Sequence, residues 1–411
     1  MLVYYDPDPD GIFSGHAVHE FLNRYNKPHE AYINKNRGHG VLFDLNKYKG
    51  YLVINVDSGV SWDKLKEIVD SGILISSIDH HEIEGTPNLS QNNLDLLTES
   101  EKKLVKQGLL YYRNEELGTE GIVINNQYEF EIEEHRFKSG CGVVLEVLHM
   151  LDPEFFEEEH IAWHGVTLLS DSREIENELA RDILIRTYSI DIENTKTIQH
   201  ITNDIGFNRF EIGSNTLDRT YIDFYLSPFI NALLRLNRGF ETIRWFSGGQ
   251  LITKDAKEKQ KQILAELKER IVSVELENIL LINVEKYPTD VFEASNFIGL
   301  LANRILVEGK TVIITCTLHG KFERGSVRGY YSSIDYRGML EKAGLIALGH
   351  KGAFGLKSYK TDFEFWKEID RQVGVESEKA ESTYSIHYMS DVSKDRKLLK
   401  ELAYQNQFLR P

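Results

Sequence analysis

Hydrophobic and polar positions alternate most clearly in the first 80 residues. "LVYY" is a compact apolar run and predicts a strand. "GIFSGHAVHEFLNRY" places Ile12, Val18, Phe21 and Leu22 at helical spacing. "EAYIN" and the strongly apolar "YLVINVD" predict two more strands. "SWDKLKEIVDSG" predicts a helix with Ser61 as its N-cap and Gly72 as its stop. "ILISSID" is a further strand. Strand–helix alternation of this kind predicts an α/β fold, a parallel sheet with helices on both faces. Ligands of such sheets collect at the carboxyl ends of the strands. Asp6, Asp57 and Asp79 each close an apolar run, which predicts one acidic cleft rather than three unrelated surface carboxylates.

The pattern changes further along. Residues 86–135 are polar and mixed, with two candidate helices. "CGVVLEVLHML" predicts a buried helix opening after Gly140. "HIAWHGVTLLSD" is another apolar run closing on an aspartate, Asp171, and is read as strand-like. From 251 to 277 a long charged helix is expected to bridge two domains. The alternation restarts at 278 with "NILLINVE" as a strand, "NFIGLLANRILVEG" as a helix and "KTVIITCTL" as a strand. "KFERGSVRGYY" is a strand or loop. The last 35 residues or so are charged and weakly patterned, a docking helix or a tail.

Composition adds bounds. The 411 residues carry a net charge of -16 and are 41% hydrophobic, enough for two or three domains with real cores. The acidic balance argues against non-specific coating of duplex DNA, while leaving room for a nucleic-acid enzyme with a local basic groove. Cys141 and Cys316 match no CxxC pattern, so neither a disulfide framework nor a zinc ribbon is expected. No signal peptide is expected at "MLVYY", and no apolar run approaches a membrane span. A cytoplasmic, reducing location is the expectation, with no membrane partner.

The sharpest chemistry lies at 4–13, "YYDPDPDGIF". Three alternating carboxylates repel one another unless a cation sits among them. The D-x-D-x-D-G spacing matches the start of a calcium loop, but the twelfth position is Ala17 instead of a glutamate, and a strand precedes it instead of a helix. A solvated turn with capping aspartates is the plainer reading. "SIDHHE" at 77–82 argues against it, because two histidines after a strand-end aspartate are hard to explain as packing. Gly11 is expected to let the chain turn sharply from strand into helix just past Asp10.

Together these residues resemble the DHH phosphoesterases. Asp8 and Asp10 match the first motif of that family, Asp57 in "NVDSG" the second, Asp79-His80-His81 the third and Asp171 in "LLSDSRE" the fourth. "SPFINALLRLNRG" and "NFIGLLANRI" resemble segments of the RecJ-type single-strand exonucleases. "GSVRG" and "GHKGAFG" resemble elements of the DHH-associated C-terminal domain, so the likeness covers roughly residues 1–360. Tyr4 stands where many members have a histidine, and Asp6 fits the aspartate that RecJ-type members use instead. One glycine of the usual C-terminal motif is replaced in Leu348-Gly349-His350. Residues 356–411 are expected to leave no room for the oligonucleotide-binding barrel of cellular RecJ enzymes.

The resemblance implies an N-terminal parallel-sheet DHH domain and a smaller α/β DHH-associated domain, joined by a long helix. The expected boundaries are 1–225 for the metal-binding domain, 226–277 for a helical connection, 278–374 for the substrate-binding domain and 375–411 for the C-terminal helix or tail. Carboxylates with imidazoles suit Mn²⁺ first and Mg²⁺ second. Two such ions at about 3.5–4 Å can share a carboxylate and activate a bridging water. By the family pattern, Asp57 bridges, Asp6 and Asp8 hold one ion, and Asp10, His80 and Asp171 hold the other. His81 contacts the scissile phosphate or donates a proton to the leaving oxygen, with an orienting role as the alternative. Asp79 orients its neighbours or touches metal.

Arg328, Ser326, His350 and Gly349 are expected to grip phosphate, and Arg235 and Asn231 to line the substrate channel; for Arg304 a helix-face ion pair is an equal reading. The implied activity is exonucleolytic hydrolysis of single-stranded DNA, 5′ to 3′, as in DNA repair and recombination. Two alternatives stand beside it. One is a DHH enzyme of short oligoribonucleotides, cyclic dinucleotides or nucleotide phosphates. The other is an inactive scaffold that binds DNA or a protein partner.

Overall fold

The computed structural model describes residues 1–33, 41, 43–81, 109–128, 138–171, 177–205, 215–284, 296–318, 322–331, 333–349, 351–358 and 363–390. The chain divides into two compact units, Met1–Lys257 and Glu258–Pro411.

In the first unit the apolar runs become strands β1 (Leu2–Tyr5), β2 (Glu30–Ile33), β3 (Leu52–Val56) and β4 (Leu74–Asp79), followed by β5 (Leu109–Asn114) and β6 (Thr119–Asn125). The sheet order is β2-β1-β3-β4-β6-β5. Every pairing is parallel except β5 with β6 at the edge. This hairpin lies in the stretch expected to hold helices. The alternating burial of "TEGIVIN" is the period-two signature of a strand, hidden in the sequence by its polar flanks. The rest of the 86–135 expectation, at 86–108 and 129–135, falls outside the described residues.

The helices of this unit are α1 (Pro9–Arg24), α2 (Trp62–Asp70), α3 (Gly140–Leu151), α4 (Glu158–Ser170), α5 (Glu178–Tyr188), α6 (Lys196–Asp204), α7 (Ser227–Arg235), α8 (Gly239–Phe246) and, starting at its end, α9 (Ala256–Lys268). The Ser61 hydroxyl caps α2 by accepting from the Lys64 N–H at 3.3 Å, and Gly72 follows its end at φ +87°, where a Cβ would be strained. Leu65, Ile68 and Val69 on one face of α2 pack against Val53, Ile75 and Val123 of the sheet. The run ending in Asp171 is a helix, α4, not a strand. Ala162, Trp163, Val166 and Leu169 fall one, three and three residues apart, a helical stripe, and all are buried. At the other end of α1, three side chains form a short relay. Asn23 Nδ2 donates to His19 Nε2 at 2.9 Å, His19 Nδ1 meets His29 Nε2 at 2.7 Å, and His29 Nδ1 donates to the Lys27 carbonyl at 2.8 Å.

The charged stretch expected to be helical to 277 is helical only over α9. "IVSVE" then forms strand β7 (Ile271–Glu275), because it is rich in β-branched residues and pairs with the next strand. The second unit continues with β8 (Ile279–Val284), α10 (Ile298–Arg304), β9 (Thr311–Leu318), β10 (Phe322–Arg328), α11 (Tyr336–Lys342), β11 (Ile346–Gly349), β12 (Ala353–Ser358) and α12 (Phe363–Ser390). Its sheet order is β11-β12-β10-β9-β8-β7, with β8–β9 the parallel pair and the other pairs antiparallel. Ile279, Ile313, Val327, Phe354 and Leu356 of the sheet pack with Trp366, Ile369 and Val373 of α12. No helix among the described residues is long and apolar enough to cross a membrane.

Candidate metal centre

Neighbouring strands β1, β3 and β4 run parallel and release their last residues at the same edge of the sheet. Asp6 follows β1, Asp57 follows β3, and Asp79-His80-His81 ends and follows β4. Asp6, Asp10, Asp57, Asp79 and His80 are each at most 2% exposed. Asp8 caps α1, its Oδ1 accepting from the Gly11 N–H at 2.8 Å. Asp10 lies in the first turn of the same helix. Gly11 lies inside α1 and does not make the sharp turn expected of it. It is needed because a Cβ there would stand 2.5 Å from the Asp6 carbonyl oxygen.

The first turn of α3 closes the site from a direction the sequence does not show. The Gly140 and Cys141 amides donate to Asp10 Oδ2 at 2.7 Å and Oδ1 at 2.8 Å. These amides sit at the positive end of the helix, so they favour the ionised carboxylate. A Cβ on Gly140 would lie 2.3 Å from Asp57 Oδ1, so only glycine lets α3 come this close. Ser139 caps α3, accepting from the Gly142 N–H at 3.2 Å, and its hydroxyl meets Thr167 of α4 at 2.7 Å. Asp171 is the C-cap of α4.

Asp57 holds the centre of the cluster. Its backbone is left-handed at φ +56°, a conformation rare for residues with a Cβ and common at functional sites. Its N–H donates to the Ile78 carbonyl at 3.0 Å, which pins the turn to β4. Asn55, fully buried, donates to Ser58 O at 2.6 Å and Ser77 Oγ at 2.8 Å and ties the same two strands below it. His80 Nε2 lies 3.0 Å from Asp57 Oδ1, 3.7 Å from Asp10 Oδ2 and 3.8 Å from Asp171 Oδ2. His81 Nδ1 lies 2.8 Å from Asp79 Oδ1, and the Asn125 amide holds the His81 carbonyl at 2.8 Å.

The electrostatics follow from this crowding. Burial pushes the Asp57 carboxyl well above the usual carboxylate range, and Asp10, Asp8, Asp6 and Asp79 push it further. Asp10 is raised by burial and by Asp171 and Asp8, against the pull of the Cys141 and Gly140 amides. Burial also acts on Asp79 and His81, but their ion pair outweighs it: Asp79 is held at about 2 and His81 is carried up to about 10. Among the described residues, neither oxygen of Asp57 accepts an aligned hydrogen bond although both are buried, His80 Nε2 standing 3.0 Å from Oδ1. A buried carboxylate of this kind is costly unless a cation supplies its partner. Three sets of ligand atoms come within 4.8 Å of one another: Asp6, Asp8 and Asp57; Asp10, His80 and Asp171; and Asp57, Asp79, His80 and His81. Carboxylates with one or two imidazoles fit hard divalent cations.

The remaining expected residues fall elsewhere. Arg328 and Ser326 lie on β10 of the second unit. Arg328 Nη1 donates to Ser326 Oγ at 2.9 Å and to the Val327 carbonyl at 2.7 Å, and its Nε donates to Asn303 of α10. Asn303 sits on a short helix 25 residues before its partner, a separation at which the sequence carries no sign of the contact. Gly299 makes room for this group, since a Cβ there would lie 3.0 Å from Arg328 Nη2. Gly349 has φ +133° and its carbonyl accepts from Arg337 Nη1 at 2.7 Å. His350 lies outside the described residues. Asn231 and Arg235 lie four residues apart on α7, both half-buried.

Residues 1–170 match the model of the DHH family, N-terminal domain. No curated protein sequence matches the chain. Among solved structures, the chain resembles RecJ in complex with Mn²⁺ from Thermus thermophilus, with 17% identity and a TM-score of 0.61 over 92% of this chain and 52% of that one. It also resembles exonuclease RecJ bound to manganese, with 17% identity and a TM-score of 0.58 over 92% of this chain and 89% of that one. A third structure, the DHH domain of a member of the s1p family of ribosomal proteins, matches at 16% identity and a TM-score of 0.50, over 90% of this chain and 85% of that one. The chain thus spans about half the length of the Thermus RecJ.

Proposed function

We propose that this chain, whose first 170 residues carry a DHH-family N-terminal domain on a RecJ-like fold, is a metal-dependent phosphodiesterase that degrades single-stranded DNA exonucleolytically, from the 5′ end. The observation that carries the reading is Asp57, with two buried carboxylate oxygens that accept no aligned hydrogen bond among the described residues, in the midst of Asp6, Asp8, Asp10, His80 and Asp171. Asp6 and Asp8 would hold one divalent cation, Asp10, His80 and Asp171 a second, and Asp57 both, with Mn²⁺ preferred over Mg²⁺. Bound there, the pair supplies Lewis acidity to a phosphoryl oxygen and lowers the pKa of water.

The protein's own groups do the rest. Asp79 fixes the His81 ring and keeps a proton on Nδ1, so His81 is ready to meet a phosphate oxygen as a charged donor. The Gly140 and Cys141 amides fix Asp10 by donating once to each carboxylate oxygen, which leaves each oxygen a further lone pair for a cation. In the second unit, Arg328 and Ser326 grip a phosphate, and Asn303 holds the guanidinium plane. Arg235 and Asn231 contact the strand, with His350 and Gly349 completing the phosphate contacts. The 5′ polarity and the preference for DNA rest on the RecJ-like fold.

The test is hydrolysis in Mn²⁺ of single strands labelled at either end, of short RNA and of cyclic dinucleotides, beside an Asp57→Asn variant. Nucleotides leave only from the 5′ end of DNA, and the variant loses at least about a hundredfold in rate. Cleavage confined to dinucleotides or short RNA would replace the strand exonuclease with a small-substrate enzyme. Strand binding with no metal-dependent cleavage would replace it with a scaffold.

A further inference from the structure

Just ahead of α7 the helix is irregular. Arg219–Tyr221 leads into a π-helical turn, Ile222–Leu226, which runs on into Ser227–Arg235. Pro228 accounts for the irregularity. It has no N–H, so the Phe224 carbonyl four residues back lacks the donor that an α-helix would supply. Lys257 Nζ takes that carbonyl at 3.0 Å and lies 5.4 Å over the Tyr225 ring. Ile222 and Leu226 are fully buried and anchor the turn. Between them Phe224 and Tyr225 are 58% and 37% exposed, two consecutive aromatic residues on the surface of an anchored turn. Phe224, Pro228, Asn231 and Arg235 follow at intervals of four, three and four residues, so Phe224 heads one helical face, with a carboxamide and a guanidinium behind it and Tyr225 at its border.

The buried side of the same helix packs against the end of α4, next to the metal centre. Ser227, two residues past Tyr225, meets Ser170 Oγ at 3.0 Å, and Ser170 adjoins Asp171. We propose that Phe224 and Tyr225 form a stacking platform for the nucleobases of a single strand, which the Lys257 ammonium and Arg235 follow along its phosphates. The proposal rests on the reading of the chain as a strand-processing enzyme and adds to it how the strand is gripped without regard to sequence. Aromatic rings suit this because every base has a π-face, and a cation beside the ring supplies charge complementary to the backbone. A net charge of -16 makes such local cations necessary for any polyanion to settle.

The platform is tested by fluorescence anisotropy on the full chain carrying Asp57→Asn, with Mn²⁺ present. The probes are a fluorescent oligothymidylate and an abasic strand of equal length. The thymidylate binds roughly tenfold more tightly than the abasic strand, F224A/Y225A erases the difference, and F224Y/Y225F keeps it. Equal binding of the two strands overturns the platform. So does a preserved preference in F224A/Y225A with an unchanged circular dichroism spectrum and melting temperature, which would make the face a protein contact instead. A base preference in a protein whose Asp57 form cleaves no strand would leave the platform standing and remove the nuclease reading.

Discussion

At the scale of single residues, the cluster depends on where a Cβ is missing as much as on where a carboxylate is present. Gly140 brings two helix amides onto Asp10 while leaving Asp57 Oδ1 in place. Gly140→Ala improves helix propensity by about 1 kcal/mol and would stabilise an ordinary helix. Here the methyl displaces Asp57, so apparent Mn²⁺ affinity, read from the metal dependence of the melting temperature, drops at least about tenfold. An unchanged Mn²⁺ titration would show that Asp57 is not central. The carboxylates themselves were legible in the sequence because Asp6, Asp57, Asp79 and Asp171 each end an apolar run and Asp8 and Asp10 alternate directly behind Asp6. Gly140, Cys141, Asn55 and Asn303 were not. Two act through backbone amides that every residue carries, and two through polar partners far away in the chain.

At the scale of elements, α1 links two differently charged ends. Its N-terminal turn belongs to the carboxylate cluster, and its C-terminal turn to the His19–His29 relay that fastens the turn before β2. Within the relay, Asn23 must donate and the Lys27 carbonyl must accept, so both rings fit as neutral imidazoles. Burial and the nearby His16 and His29 lower His19 to about 4, against the opposing pull of Glu20. The folded chain therefore resists a proton that the unfolded chain accepts near the ordinary histidine value of 6.5. Its contribution to stability is complete above pH 6.5 and is lost as pH falls from there towards 4. Urea midpoints measured over that window fall more steeply in the native chain than in His19→Gln. Parallel slopes would rule the relay out as the source.

The element level is also where sequence patterning went astray. Helical periodicity in "HIAWHGVTLLS" was masked by a nearly continuous apolar run, since a buried helix and a buried strand look alike at that length. The long charged stretch to 277 concealed a strand because β7 is largely exposed and borders a polar helix.

At the scale of the molecule, the two units divide the chemistry. The described carboxylates and imidazoles of the centre all lie before Lys257, while Arg328, Ser326 and Asn303 lie after it. A fragment of residues 1–257 is expected to keep the metal response and lose the grip on phosphate. At Mn²⁺ about a hundredfold above its Kd, its melting temperature rises by about 5–10 °C, as mass action requires of a ligand that binds only the folded state. A flat response would mean that residues beyond 257 complete the centre. The parallel order of β1, β3 and β4 has another consequence, for the birth of the chain. Asp6 and Asp171 are 165 residues apart in the sequence, yet both act on the His81 ring within one cluster. At about 5–20 residues per second of synthesis, the first carboxylate waits on the order of ten to thirty seconds for the last. Through that interval the nascent sheet carries mutually repelling aspartates with their ring of ligands still open. The centre can therefore close only after synthesis has passed Asp171, well into the first unit that ends at Lys257.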